Sequence, residues 1–322
     1  MRSNFAKDYL RSLNTIARRN TGFSARADTS KFTNELLSSY PAKHFESETS
    51  EGEIIIPCSK TLGEKLAHLR KARSSSISFL ADFDQTLTKA RLPDGSDAHN
   101  SFKAIIDYPK TPENVKSGSQ TLFDKYFPIE RNPGIPISEK RVHLDEWWSQ
   151  EMSLFASGGY SRADFARMAL EGKLLFRKST RALIETCHNN SIDFVVVSGG
   201  VYEFVESSLH ILLQSKEPGF SESLAENFTP KIISNRFDYQ LEEGDGNLFE
   251  RASVKDYKLP LITPFSKRQA LYMEDGPVSL RQNVVVVGDI IEDARMVRTS
   301  QHDCILKVGM LVNAKKPEHL RK

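Results

Sequence analysis

The sequence predicts an α/β fold: a parallel sheet with helices on both faces and a helical cap inserted after the first strand. Three segments carry this reading. Ile77-Ser-Phe-Leu-Ala-Asp-Phe-Asp-Gln-Thr-Leu-Thr88, Asp193-Phe-Val-Val-Val-Ser-Gly-Gly200 and Asn283-Val-Val-Val-Val-Gly-Asp-Ile-Ile-Glu-Asp293 each run from apolar residues into polar ones. Near-continuous apolar strands mark a parallel sheet covered on both faces. In such open, Rossmann-like sheets, ligands bind just past the carboxyl ends of the strands. All three segments place their polar residues there.

Residues 1–26 carry Arg2, Lys7, Arg11, Arg18, Arg19 and Arg26 against a single acid, Asp8, with Phe5, Tyr9, Leu13 and Ile16 on one helical face. That pattern fits a mitochondrial transit peptide and equally an ordinary basic leader, so localisation stays open between cytoplasm and mitochondrion. Residues 27–51 read as a polar linker. Thr61–Arg73 has helical periodicity through Leu62, Leu66 and Leu69 and leads into the first strand. Residues 89–120, with Pro93, Gly95, Pro109, Pro112 and Gly118, read as irregular connections. Leu122–Glu130, Leu144–Phe155 and Ser161–Met168 read as helices, with Ser161 capping the last. Thr180–Asn189 and Tyr202–Leu213 are helices flanking the second strand. Lys231–Gln240 reads as a strand and Glu242–Asn247 as a turn cluster. Ser266–Met273 reads as a short helix carrying Lys267 near its start. Cys304–Val312 reads as a final strand before the basic, solvated Lys315–Lys322. The expected division is an extension at 1–51, a core of 52–88 plus 175–322, and a helical cap at 89–174.

A chain of 322 residues can bury the core of one large domain with an insertion. With 44 basic and 42 acidic residues the formal net charge is +2, so no global bias toward nucleic acid exists. Cys58, Cys187 and Cys304 are odd in number and widely spaced, which argues against a disulfide framework or a zinc cluster. No apolar run approaches the ~20 residues that span a bilayer.

Asp82 and Asp84 end the first strand, and strand alternation places them on one side. Two like charges there repel, and one resists ionising. A Mg²⁺ ion removes the conflict, because it takes oxygen ligands from one or two carboxylates plus substrate phosphate. The pattern therefore reads as a metal-assisted phosphate site, although taken alone it equally fits a solvated acidic loop. Ser198-Gly-Gly200 adds backbone N–H groups that can approach an anion closely. Asp289 and Asp293 add two further acids past the third strand.

The order Asp-Phe-Asp-x-Thr-Leu-Thr, Val-Ser-Gly-Gly, a lysine, then Gly-Asp-x-x-x-Asp resembles the haloacid-dehalogenase superfamily of phosphotransferases. Within it, Phe123–Glu130, Glu146-Trp-Trp148, Ile233-Ser-Asn235, Phe237-Asp238 and Pro264–Lys267 are similar to the cytosolic pyrimidine 5′-nucleotidases, or uridine monophosphate hydrolases. The resemblance covers about residues 52–310. It implies a Mg²⁺-dependent phosphomonoesterase that splits a nucleoside 5′-monophosphate (CMP, UMP or 7-methylguanosine monophosphate) through an aspartyl-phosphate. Transfer of the phosphoryl group to a second nucleoside is also open to such an intermediate.

On this resemblance Asp82 is the nucleophile and Asp84 the general acid and base, its backbone carbonyl also touching the metal. Asp289 completes the metal sphere and Asp293 holds it from behind. Ser198 and the Gly199 amide bind phosphoryl oxygens, and Lys267 neutralises their charge. Glu130 matches a family position that hydrogen-bonds the nucleobase. Trp147 and Trp148 point about 100° apart on a helix, so one is expected in the core and the other, Trp148, as a stacking platform. Glu151 stands where the nucleotidases lead us to expect serine, and Gly199 where many relatives have alanine. The alternative is a phosphatase of the same superfamily acting on a non-nucleotide phosphomonoester. The expected partner is a small nucleotide, with neither nucleic acid nor membrane, and the oligomeric state is open.

Overall fold

The structure, a computed structural model, describes residues 58–214, 230–241, 252–272 and 279–310. The basic leader, the linker to residue 51, the 242–247 turn cluster and the 315–322 tail lie outside the described residues. Five strands form one parallel sheet: β1 (Ile77–Ala81), β2 (Asp193–Val201), β3 (Lys231–Asn235), β6 (Asn283–Gly288) and β7 (Cys304–Gly309), in the order β3-β2-β1-β6-β7. β1 lies in the middle, paired in parallel with β2 on one side and β6 on the other. The chain therefore winds outward from β1 in both directions, and the carboxyl end of β1 is the switch point of the sheet.

Alternation along the strands sends side chains to two cores. Ala81, Phe194, Val196 and Ile232 face one side, under α1 (Ser59–Lys71), α6 (Ser179–Asn189) and α7 (Tyr202–Gln214). Leu80, Val195, Val197, Ile233, Val284 and Val286 face the other, covered by α8 (Lys267–Leu271) and by Met296 and Val297. The expected α/β architecture with helices on both faces is present, the second face having the shorter helix.

Between β1 and α6 stand α2 (Ser101–Ile106), α3 (Glu113–Arg131), α4 (Ile137–Ser157) and α5 (Arg162–Glu171). Residues 89–120 thus hold more helix than their prolines suggested. Asn100 caps α2 by accepting from the Lys103 N–H at 2.7 Å, and Pro112 and Pro136 sit at the N-caps of α3 and α4. Proline is tolerated at a helix start because an unbonded N–H is missing there anyway. Ser161 caps α5 in a reciprocal box with Asp164. Leu122, Tyr126, Leu144, Trp147 and Trp148 pack α3 on α4 in a core of their own.

Lys231–Gln240 is two strands, not one. The chain leaves the sheet at Asn235, whose side chain is taken up by Gly199 and Ile262, and Arg236 lies over the Tyr202 ring at 3.4 Å. β4 (Phe237–Leu241) then pairs antiparallel with β5 (Ala252–Tyr257), a strand the sequence did not announce. This hairpin joins the helical layer: Val254 N–H donates to Tyr160 O at 2.8 Å, and the Tyr257 hydroxyl lies 3.1 Å from Ser149 Oγ. No helix among the described residues is long and apolar enough to cross a membrane.

The end of β6 depends on a missing side chain. A Cβ at Gly288 would collide with the Asp293 side chain, which is itself buried. Gly288→Ala is expected to cost about 1–3 kcal/mol by overpacking, measured as a lower urea midpoint at unchanged slope.

Candidate active site

Register decides what meets at the switch point. Ala81 lies opposite Val196 and Val287, so Asp82 leaves the sheet between Ser198 and Asp289, each two residues beyond those partners. Asp82 stays anchored through its N–H to Val287 O at 3.0 Å. Lys267, at the start of α8, donates to Asp82 Oδ1 at 2.5 Å and to Asp293 Oδ1 at 2.8 Å. Carboxylate oxygens of Asp82, Asp289 and Asp293 lie within 4.8 Å of one another.

One ammonium thus faces three carboxylates in a buried place. Burial, followed by the charges of Asp293 and Asp289, pushes Asp82 up to about 8 despite Lys267. Burial and Asp293 push Asp289 up to about 6. Burial also works against the Lys267 charge, but Asp293 and Asp82 outweigh it and raise its pKa. Hard oxygen donors in excess of the local positive charge fit a Mg²⁺ ion.

Asp84 does not follow the alternation expected of a strand. β1 ends at Ala81, and residues 83–87 form a wound turn in which Gln85 takes φ +60°. That left-handed conformation is uncommon for a non-glycine residue. The turn is held from outside: Arg177 donates to the carbonyls of Thr86 and Gln85 at 2.8 Å each, and Thr180 Oγ1 to Leu87 O at 2.8 Å. Asp84 is thereby aimed at the cap, accepting from Ser101 N–H at 2.8 Å and Ser101 Oγ at 2.5 Å. Burial raises its pKa, and the two Ser101 bonds act against that rise.

Ser198 is buried and accepts from the Gly200 N–H at 3.0 Å. The Gly199 carbonyl accepts from Trp148 Nε1 and from Asn235 Nδ2, both at 2.8 Å. Trp148 is only 8% exposed and is committed by its N–H to this carbonyl. It ties the cap to the core as well as lining the cleft. Trp147 is the core member of the pair, stacked on Tyr126.

A cleft of about 410 Å³ runs from these groups into the cap. Asp82, Asp84, Ser198, Gly199, Lys267 and Asp289, at the strand ends and the start of α8, line it together with Glu130, Trp148 and Glu151 of α3 and α4. Nine of the ten residues singled out from the sequence therefore share one cavity. The tenth, Asp293, stands behind it on Lys267. Burial raises the Glu130 carboxyl, with Arg131 Nε 3.8 Å away acting against the rise. Glu151 is 1% exposed and accepts from Ser119 Oγ and from Trp147 Nε1.

Sequence reasoning assigned no role to four contributing residues. Ser101 orients Asp84, and its signal was the Asn100 cap. Phe123 and Phe127 stack at 4.5 Å on the cleft wall, with Phe123 43% exposed. Their spacing of one helical turn could have signalled a shared face. Arg177, which holds the wound turn, had no local signature.

A family model described as pyrimidine 5′-nucleotidase (UMPH-1) matches residues 85–322. The matched span opens one residue past Asp84. The 7-methylguanosine phosphate-specific 5′-nucleotidase of Drosophila melanogaster is 28% identical over 242 residues, 73% of this chain and 69% of that protein. The Homo sapiens protein of the same name is 25% identical over 256 residues, 77% of each. In fold, the chain is similar to the crystal structure of cytosolic 5′-nucleotidase IIIB bound to cytidine, with a TM-score of 0.66 and 24% identity, covering 82% of this chain and 85% of that one.

The excess of carboxylates has a consequence for stability. A carboxyl raised from 3.8 to about 8 holds a proton that the unfolded chain has lost, so it subtracts stability as pH rises across that interval. In chelator, the thermal midpoint is expected to fall from pH 5 to pH 8. Asp82→Asn should flatten that fall and raise the midpoint at about pH 8 by ~2 °C or more. Differential scanning calorimetry with and without Mg²⁺ checks this, and Mg²⁺ should stabilise the parent more than the variant.

Proposed function

The chain belongs to the pyrimidine 5′-nucleotidase (UMPH-1) family, and from that premise we propose that it hydrolyses a nucleoside 5′-monophosphate to nucleoside and phosphate, with Asp82 as nucleophile. As a 5′-nucleotidase it is a phosphoric monoester hydrolase. One observation carries the residue assignment: a single cleft is lined both by a carboxylate–lysine group at the sheet and by an aromatic wall with two glutamates from α3 and α4.

Asp82 attacks phosphorus, and the P–O bond to the 5′-oxygen breaks, leaving an aspartyl-phosphate. Asp84, held by Ser101, gives its proton to the departing 5′-oxygen. Its raised pKa suits the protonated form needed for that step. The same carboxylate then takes a proton from the water that hydrolyses the intermediate. Ser198 Oγ and the Gly199 N–H bind the phosphoryl oxygens, and Lys267 balances their growing charge. Asp82, the Asp84 backbone carbonyl and Asp289 would hold Mg²⁺, with Asp293 supporting them from behind through Lys267, and the ion would supply further charge neutralisation at the phosphoryl group.

In the cap, Phe123 and Phe127 offer a ring face, and Glu130 offers an acceptor for an exocyclic amine of the base. The names of the relatives point to 7-methylguanosine monophosphate as substrate, and the cytidine-bound neighbour to a pyrimidine nucleotide. Transfer of the phosphoryl group to a second nucleoside belongs to the same reading, because any hydroxyl that reaches the aspartyl-phosphate can replace water. The neighbour's name supports action in the cytosol.

Phosphate release from a panel of nucleoside monophosphates is expected with Mg²⁺ and not with chelator, and Asp82→Asn should remove it. Residual turnover above about one per cent, a loss of only ~2.7 kcal/mol, would overturn the nucleophile assignment.

Phe123→Ala and Glu130→Ala should reduce kcat/KM on nucleotides by about five- to 150-fold, the range of one lost base stack. Both should leave a small aryl phosphate nearly unaffected. Equal losses on both substrates would favour a non-nucleotide phosphomonoester.

A further inference from the structure

Glu151 is the most deeply buried acid at the base end of the cleft, and its partners are dipoles rather than cations. Ser119 of α3 donates to one oxygen, and the Trp147 indole, one turn back on α4, donates to the other at 3.2 Å. Both partners line the same cleft. The remaining charged groups there are Glu130 and Arg131, which pair with each other at the end of α3, Lys103 of α2, and the carboxylate–lysine group at the phosphate end. Lys103 is taken up by Asp107. Among the described residues, an ionised Glu151 is therefore a buried charge without a counter-ion, a costly arrangement unless a cation arrives or the carboxyl keeps its proton.

We propose that Glu151, set by Ser119, makes base selection proton-linked: ionised, it favours a cationic N-alkylated purine, and protonated, it favours a neutral pyrimidine. This rests on the nucleotidase reading above. A 7-methylated guanine carries positive charge in its imidazole ring, which compensates the buried carboxylate and sits favourably against the half-exposed Phe123 ring, the Phe127 ring being taken by Phe123 and the Arg131 guanidinium. A neutral pyrimidine presents carbonyl oxygens, which an ionised carboxylate repels and a protonated one can serve as donor. Binding the cationic base near neutrality releases the Glu151 proton to solvent. Binding the neutral base takes a proton up. Burial sets the balance point by pushing the carboxyl up to about 7, against the bonds from Ser119 and Trp147. Small changes in pH then exchange one preference for the other.

The test is the ratio of kcat/KM for 7-methylguanosine monophosphate over that for cytidine monophosphate, measured with Mg²⁺ across neutral pH. Taking a ratio cancels the titrations of the phosphate-end groups, which both substrates share. In the parent the ratio should rise about tenfold between roughly pH 5.5 and 8.5, equivalent to one pKa unit of linkage. Glu151→Gln keeps the shape and loses the charge, so its ratio should follow only the titration of the base itself. Ser119→Ala removes a bond that favours the ionised form, and should move the midpoint of the rise to higher pH. Calorimetry of the two nucleosides in buffers of different ionisation enthalpy should give proton release for the methylated purine and uptake for cytidine.

The same pH course in the parent and in Glu151→Gln overturns the proposal. Should that variant not fold, an unmoved midpoint in Ser119→Ala overturns it instead. Hydrolysis of both nucleotides with an invariant ratio removes this inference alone. Failure to hydrolyse any nucleotide removes the nucleotidase reading and this inference with it.

Discussion

Like charges held together at the end of a buried strand are the constraint on which the rest of this molecule depends. Asp82, Asp289 and Asp293 converge where the parallel sheet changes winding direction, and one ammonium, that of Lys267, stands between two of them. A protein does not retain such repulsion for stability, since buried charge costs more than surface charge and recovers little unless paired. What the arrangement supplies is an oxygen-rich site with a deficit of positive charge, ready for a cation and a phosphoryl group. Gly288 belongs to the same design. With no Cβ it lets the Asp293 side chain press against the strand end, so that Asp293 reaches Lys267 from behind.

The cap is fastened to this centre through residues that line the cleft. Ser101, at the first turn of α2, binds both oxygens of Asp84, and Gly200 leaves room for it, because a Cβ there would meet the Ser101 side chain. Trp148 on α4 and Asn235 at the end of β3 share the Gly199 carbonyl. The backbone that presents N–H groups to an anion is thus pulled from the opposite side by the cap and by the third strand. Such support fixes donors before a substrate arrives, which is where electrostatic catalysis obtains its advantage. The same contacts explain why a glycine at 199 is compatible with the site. A Cβ would stand 3.2 Å from Trp148 Nε1, a tight approach that the present residue avoids.

The two ends of the cleft handle acidity differently. At the phosphate end, carboxyls are raised by burial and by one another, with Lys267 restraining Asp82 and Asp289. At the base end, Glu130 keeps the Arg131 guanidinium nearby, whereas Glu151 has only a hydroxyl and an indole. The first arrangement favours a divalent ion and the second a change of protonation. Both follow from the same rule that desolvation disfavours the charged form.

The sequence by itself determined the sheet, its parallel sense and which polar residues gather past the carboxyl ends of β1, β2 and β6. Those features are local: apolar runs such as Val284–Val287 report burial on both faces, and a polar residue just past each run reports the strand end. The same local logic found the Ser161 cap and both helices flanking β2. It failed where proline had two meanings, so that Pro112 read as part of an irregular connection when it starts a helix, and where Lys231–Gln240 read as one strand although Asn235 and Arg236 turn the chain out of the sheet. Only the tertiary structure decided that Asp84 answers to Ser101, that Trp148 is tied to Gly199, that the β4–β5 hairpin joins the cap, and that Glu151 is buried with no counter-ion among the described residues. Each of these depends on which surfaces meet across separate elements. Hydrogen-bond partners and ionisation follow from that meeting and from the exclusion of water, and no pattern along one segment encodes them.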